Sequence, residues 1–206
     1  YLDELPFVSE FYLRHFGKEG IKRHFYASIN WPYIQILSSR GCPYKCSFCN
    51  IPSIGSYRTR SVESVRSEFE FIRDHMPFVK EVFFEDDTFP INKKRTIELC
   101  GLLERLNSGI TWSCNARVNT DRETLDAMKR AGCRLTCVGF ESPTTDSLTG
   151  IIKKTTLKQQ ETFMHQAREA RMKVNGCFIL GLPGDNRKTM QNTVDYAKLL
   201  MPNTAQ

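Results

Sequence analysis

The chain has no stretch approaching the ~18 or more consecutive apolar residues that a membrane helix needs. It also lacks a basic-then-apolar leader ending in a small-residue cleavage site. These absences point to a cytoplasmic protein whose thiols stay reduced, which argues against disulfides among its eight cysteines. No Gly-x-Gly-x-x-Gly turn follows the first apolar run, so a dinucleotide-binding sheet loses its main sign. There is no basic stripe with interleaved aromatics, which argues against a nucleic-acid partner. The first residue is Tyr1 rather than Met, and the sequence reads as an excised or incomplete chain.

What is present is ordinary globular composition: 206 residues, 40% hydrophobic and 25% charged, enough for one sizeable core. Residues 1–30 read as a linker or N-terminal extension with some helix around Phe7–Phe16, and 31–206 as one domain incomplete at its C-terminus. After Pro32 apolar, β-branched or aromatic runs appear near Tyr33–Leu37, Val79–Phe84, Thr111–Cys114, Leu135–Phe140 and Val174–Leu180. Helical periodicity fills the gaps at Val62–His75, Lys93–Asn107, Arg122–Ala131, Leu157–Arg171 and about Lys188–Leu200. Thr120-Asp121-Arg122-Glu123 and Thr156-Leu157-Lys158-Gln159 read as capping boxes, and Gly132 as a helix stop. Strand alternating with helix is the pattern of parallel βαβ units. The expected fold is α/β, a partial parallel (β/α)5–6 barrel whose last strand, near Asn203–Gln206, is truncated; a doubly wound open sheet is the alternative.

Gly41-Cys42-Pro43-Tyr44-Lys45-Cys46-Ser47-Phe48-Cys49 sets three thiolates on one short turn, with no fourth sulfur or imidazole beside them. Thiolates in this number suit an iron–sulfur cluster, whereas a closed four-iron cluster takes four. Three leave one iron uncapped, as a catalytic zinc keeps one position open, so a small molecule is expected on that iron. A zinc site would want a closed tetrahedron, and the next candidates, His24, His75 and Cys100, share no paired spacing with the loop. Structural or incidental cysteines are the remaining alternative. Cys100, Cys114, Cys133, Cys137 and Cys177 form no knuckle and read as buried thiols rather than a second cluster.

The Cys-x3-Cys-x-aromatic-Cys spacing, with Phe48 in the aromatic slot, resembles the signature of the radical S-adenosylmethionine superfamily. The resemblance implies a [4Fe-4S] cluster on Cys42, Cys46 and Cys49 whose unique iron binds the amino and carboxylate groups of S-adenosylmethionine. One electron, from reduced flavodoxin or ferredoxin, then cleaves that cofactor to methionine and a 5′-deoxyadenosyl radical, which abstracts hydrogen from a small-molecule substrate. From Arg40 through Arg60 there are Arg40, Lys45, Arg58 and Arg60 and no acidic residue, in a chain of formal charge +6. This excess reads as a docking face for an acidic electron donor, as compensation for the anionic cluster and cofactor, or as a solvated basic loop.

In parallel α/β barrels functional groups collect at the carboxyl ends of strands. Glu85-Asp86-Asp87 follows an apolar run, and adjacent buried acids call for a cation or donors; a ligand ammonium would serve, or the acids complement a helix dipole. Their position matches the family's grip on the methionine amino group without its Gly-Gly-Glu form, so the choice among the three stays open. Asn115 and Arg117 lie on the next strand end; Arg117 offers a bidentate fork for a ligand carboxylate, or an ion pair with one of the acids. Glu141 offers paired acceptors for the ribose hydroxyls, or caps a turn. Gly181, with Gly184, flanks a proline turn where backbone can approach the adenine, or the turn merely ends a strand.

Leu2-Asp3-Glu4-Leu5-Pro6 looks like the linker that follows a cobalamin-binding domain in one large subgroup of that superfamily. The strings Phe84–Phe89, Trp112–Arg117 and Phe178–Gly184 are similar to the same subgroup. It includes anaerobic ring-forming enzymes of tetrapyrrole synthesis, tailoring enzymes of hopanoid lipids, and methyltransferases of unactivated carbon. No Asp-x-His-x-x-Gly sequence is present, so cobalamin is expected only in a full-length protein whose cobalamin domain precedes Tyr1. Two alternatives stand beside this reading. A tRNA-methylthiolating enzyme would call for a basic RNA-binding module, and none is visible. A non-catalytic metal or electron-transfer module is opposed by the open ligand set.

Overall fold

The structure, a computed structural model, describes residues 2–50 and 56–206. In chain order it holds α1 (Val8–Ile21), β1 (Tyr33–Ile36), the two-residue strands β2 (Ser39–Arg40) and β3 (Arg58–Thr59), α2 (Val62–His75) and β4 (Glu81–Phe84). There follow α3 (Lys93–Leu106), β5 (Thr111–Ala116), α4 (Arg122–Arg130), β6 (Cys133–Glu141), α5 (Thr145–Gly150), α6 (Leu157–Glu169), β7 (Lys173–Phe178), α7 (Arg187–Leu200) and β8 (Thr204–Ala205). The main sheet runs β1-β4-β5-β6-β7-β8 with every neighbouring pair parallel, and at least one helix fills each crossover. Gln35 on β1, Cys177 on β7 and Gln206 beside β8 line one common chamber, so the sheet curls around a lumen. This is the partial (β/α) barrel expected from the alternation of strand and helix.

The parallel strands are buried on both faces, which is why Glu81-Val82-Phe83-Phe84 reads as an apolar run without alternation. Its one charge, Glu81, is fully buried and held by Arg134, whose Nε and Nη2 donate at 2.7 and 2.9 Å. Val65, Phe69 and Ile72 recur on one face of α2 and are essentially inaccessible, as helical spacing requires. Phe69 and Phe84 stack at 5.7 Å between centroids, and Phe84, Phe89 and Trp112 meet at 4.6–5.3 Å, forming the aromatic centre of the core.

Several boundaries differ from the sequence reading. The cap of α4 is Asp121, whose carboxylate accepts from the Thr124 amide at 2.9 Å; Thr120 instead donates its hydroxyl to the Arg117 carbonyl. A carboxylate one residue nearer the helix outcompetes the threonine for the orphan amides. The Thr156–Gln159 capping box of α6 forms as expected, and Gly132 takes φ +93° behind α4. Short α5 and the β2–β3 hairpin escaped the periodicity, being six and two-by-two residues long. The N-terminal stretch is tied to the barrel: the Ser9 amide and hydroxyl both donate to buried Glu68 on α2, at 3.0 and 2.9 Å.

Candidate functional site

The cysteine loop leaves the barrel through β2, and pairing of Arg40 with Arg58 closes it at its base. The run Glu85-Asp86-Asp87 divides its labour there. Asp86 is fully buried and accepts from the Ser38 amide at 2.7 Å, the Ser38 hydroxyl at 2.6 Å and the Ser39 hydroxyl. Burial pushes its carboxyl above the usual range, with the serine donors pulling the other way. Asp87 accepts the Gly41 amide at 2.8 Å, where Gly41 takes φ +84°. The two aspartates thus pin the entry to the cysteine loop from the end of β4. Glu85 turns away, accepts from Gln35 at 3.1 Å and faces the lower lumen; burial, then neighbouring Asp87, raises its pKa.

Cys42, Cys46 and Cys49 are free and open together into a cavity of about 310 Å³. Among the described residues no three His, Cys, Asp or Glu side chains converge on the position of a single metal ion. Asp87, Thr88, Asn115 and Arg117 wall the same cavity. Asn115 donates to the Asp86 carbonyl at 3.0 Å, so β5 braces the turn that holds the loop. Arg117 is 6% exposed; its guanidinium lies 3.8 Å over the Tyr44 ring, with Nη1 3.7 Å from Cys46 Sγ and Nη2 2.6 Å from the Lys153 carbonyl. Its Nε is buried with no partner among the described residues.

Glu141 closes the opposite wall, ion-paired through Oε1 to Lys153 Nζ at 2.6 Å, both about 95% buried. Glu141 takes φ +64°, and Ile152 and Lys154, flanking Lys153, take +54° and +53°. Non-glycine residues in the left-handed region are costly and persist where surroundings dictate them. Gly139 leaves room for the pair: a Cβ there would collide with Glu141 Oε1 and lie 2.7 Å from Lys153 Nζ. The segment is docked on the cysteine loop, since the Ser47 amide donates to the Ile151 carbonyl at 2.9 Å and Lys153 Nζ sits 5.8 Å from the Phe48 ring centroid.

Of the residues selected from sequence, the structure gathers Cys42, Cys46, Cys49, Phe48, Asp87, Asn115, Arg117 and Glu141 on this cavity. Glu85 faces the lumen below, Asp86 is enclosed by serines, and Gly181 lies outside the wall, its amide donating to Asp185 at 3.0 Å. Sequence reasoning passed over Lys153, Tyr44, Thr88 and Gly139. No motif marks Lys153; the only cue for Gly139 was its place two residues before Glu141 at a strand end. Cys137 and Cys177 also line the cavity, and burial pushes the Cys177 thiol up to about 11. Of the basic excess between 40 and 60, Arg60 is buried and paired with Glu68, which leaves Arg40, Lys45 and Arg58 exposed.

The Radical SAM superfamily domain matches residues 36–197 of the chain. An uncharacterized methyltransferase of Pyrococcus horikoshii is 35% identical over 179 residues, which cover 85% of this chain and 39% of that protein. A bacteriochlorophyllide d C-12(1)-methyltransferase of Chlorobaculum tepidum is 31% identical over 169 residues, covering 79% of this chain and 37% of that protein. The chain therefore spans under two-fifths of the length of these curated relatives. Among solved structures, the radical S-adenosylmethionine methyltransferase TsrM of Kitasatospora setae, with tryptophan and a SAM analog bound, matches with a TM-score of 0.77. Its identity is 23%, over 84% of this chain and 35% of that one, a likeness of fold alone. Among the described residues no helix is long and apolar enough to cross a membrane. With the three-cysteine loop set at the mouth of a parallel barrel and the domain match running across it, the chain belongs to the radical SAM superfamily.

Proposed function

We propose that this chain is the core of an enzyme that holds a [4Fe-4S] cluster on Cys42, Cys46 and Cys49 and uses S-adenosylmethionine to modify an unactivated carbon of a small molecule. The observation that carries the reading is the cavity itself: three free thiols share it with an acid, an arginine and a buried Glu–Lys pair. The donor set fits the group: the loop brings three soft thiolates, while Cys137 and Cys177, which line the same cavity from the barrel strands, have their thiol pKa raised by burial. Bound there, the cluster and cofactor supply one-electron cleavage of a carbon–sulfur bond and a radical able to take hydrogen from carbon.

The chain's own residues bind and orient. Asp87, whose carboxylate holds only the Gly41 amide among the described residues and lines the cavity, accepts a ligand ammonium. Glu141 presents Oε2, which has no hydrogen-bond partner among the described residues, to ligand hydroxyls while Lys153 holds Oε1. Phe48 covers the cavity from the cysteine loop and excludes water from the pair beneath it. Methyl transfer is the favoured outcome, since curated relatives at 35% and 31% identity bear methyltransferase names. A cobalamin-binding domain elsewhere in the full-length protein and a reduced flavodoxin or ferredoxin as electron donor complete the proposal.

Anaerobic reconstitution of the full-length protein tests it. Iron and sulfide are expected near four each per chain, as a [4Fe-4S] cluster requires, and Cys42→Ala, Cys46→Ala and Cys49→Ala each lose them. Reductant with S-adenosylmethionine should release methionine together with 5′-deoxyadenosine, or S-adenosylhomocysteine together with a methylated product. An intact cluster that never consumes S-adenosylmethionine would refute the reading, as would one equivalent of zinc without sulfide.

A further inference from the structure

We propose that Arg117 sets the reduction potential of the cluster through an N–H···S hydrogen bond from its guanidinium to Cys46. The inference rests on the cluster-binding reading of the loop and deepens it. A free arginine fork would suit a ligand carboxylate, but here its outer nitrogens are engaged: Nη1 on Cys46 Sγ at 3.7 Å and Nη2 on the Lys153 carbonyl at 2.6 Å. The guanidinium plane is fixed a third time by Tyr44, a residue of the cysteine loop itself, at 3.8 Å. Arg117 and Cys46 are 6% and 7% exposed, so water does not screen the contact.

One-electron reduction of a cluster adds negative charge that spreads onto its thiolate sulfurs. A fixed cation donating to one of those sulfurs stabilises the reduced form more than the oxidised form and moves the potential upward. The same donor in solvent would matter little; in a buried site its effect is several times larger. Lysine keeps the charge but cannot donate to sulfur, donate to a carbonyl and stack on a ring from one plane. Arg117 is thereby a positioning residue that acts through Cys46. Removing it makes the cluster harder to reduce without removing any thiolate.

The test is a redox titration of the reconstituted full-length protein, followed by electron paramagnetic resonance. Arg117→Gln is expected to lower the midpoint by about 60 mV or more, a tenfold change in a one-electron equilibrium. Arg117→Lys should shift it the same way by a smaller amount. Midpoints equal to wild type in both variants, at full iron and sulfide content, overturn the proposal. A measurement on wild type keeps it falsifiable if the variants lose the cluster. With 15N-arginine, pulsed resonance of the reduced cluster should detect a guanidinium nitrogen coupled to it, and its absence overturns the assignment. Wild type that takes up no iron or sulfide refutes the cluster reading, and the proposal falls with it.

Discussion

Lys153 and Glu141 face each other across 2.6 Å in a wall where almost no water reaches them. Removing one member of such a pair strands the other charge. Lys153→Met is therefore expected to cost about 3 kcal/mol in urea unfolding, and the double variant Lys153→Met/Glu141→Gln to recover most of it. Recovery of stability without recovery of S-adenosylmethionine affinity would separate the pair's packing role from its binding role; no loss in the single variant would contradict the buried pairing. Asp86 makes a pH prediction. Its folded-state pKa is raised, so the native chain holds this proton more tightly than the unfolded chain does. Its contribution is present at low pH and is lost as pH rises from about 4 through the folded value. Wild-type stability relative to Asp86→Asn should therefore fall as pH is raised above about 4, and a rising difference would refute the burial effect. The three cysteines were legible because their chemistry sits within one turn of sequence. Lys153 was not, since twelve residues and a helix separate it from the carboxylate it meets.

At the scale of elements, capping and packing make separate predictions. Thr156 accepts the Gln159 amide and Gln159 answers at the Thr156 amide, so Thr156→Ala should cost about 1 kcal/mol. A loss below experimental error would mean the box is only nominal. Phe84 is fully buried between Phe69, Phe89 and Trp112, and Phe84→Ala should cost about 4 kcal/mol. The long helices were readable because each buries one stripe against the sheet, and strand β4 because both its faces are covered. The hairpin β2–β3 was not. Two residues per strand give no period, and a like-charged Arg40–Arg58 pair opposes its own cross-strand contact. What stabilises it lies elsewhere, in Asp86 gripping Ser38 and Ser39 and in Arg95 donating to the Ser38 and Arg60 carbonyls, at 3.0 Å each.

Across the whole molecule, β5 and β6 are the two middle strands of the six-stranded order, each between two neighbours, while β8 is a two-residue edge. Amide exchange should therefore be slowest in β5 and β6 and fastest in β8 and the β2–β3 hairpin; equal protection throughout would count against this gradient. The barrel brings strand ends from β4, β5 and β6 to one rim, which is how acids, arginine and glutamate from distant stretches reach the cysteine loop. Sequence alone determined the alternation of strand and helix, hence a parallel α/β sheet, and the three thiolates, because periodicity and contiguous spacing are local properties; the choice of a barrel over a doubly wound open sheet was left to the tertiary structure. Only the tertiary structure decided which of three neighbouring acids faces the cavity, that Arg117 lies on a cysteine sulfur, and that Lys153 neutralises Glu141. Those choices depend on which way a strand end turns and on which distant groups share one buried volume, and a chain's order of residues does not by itself encode that in any local pattern.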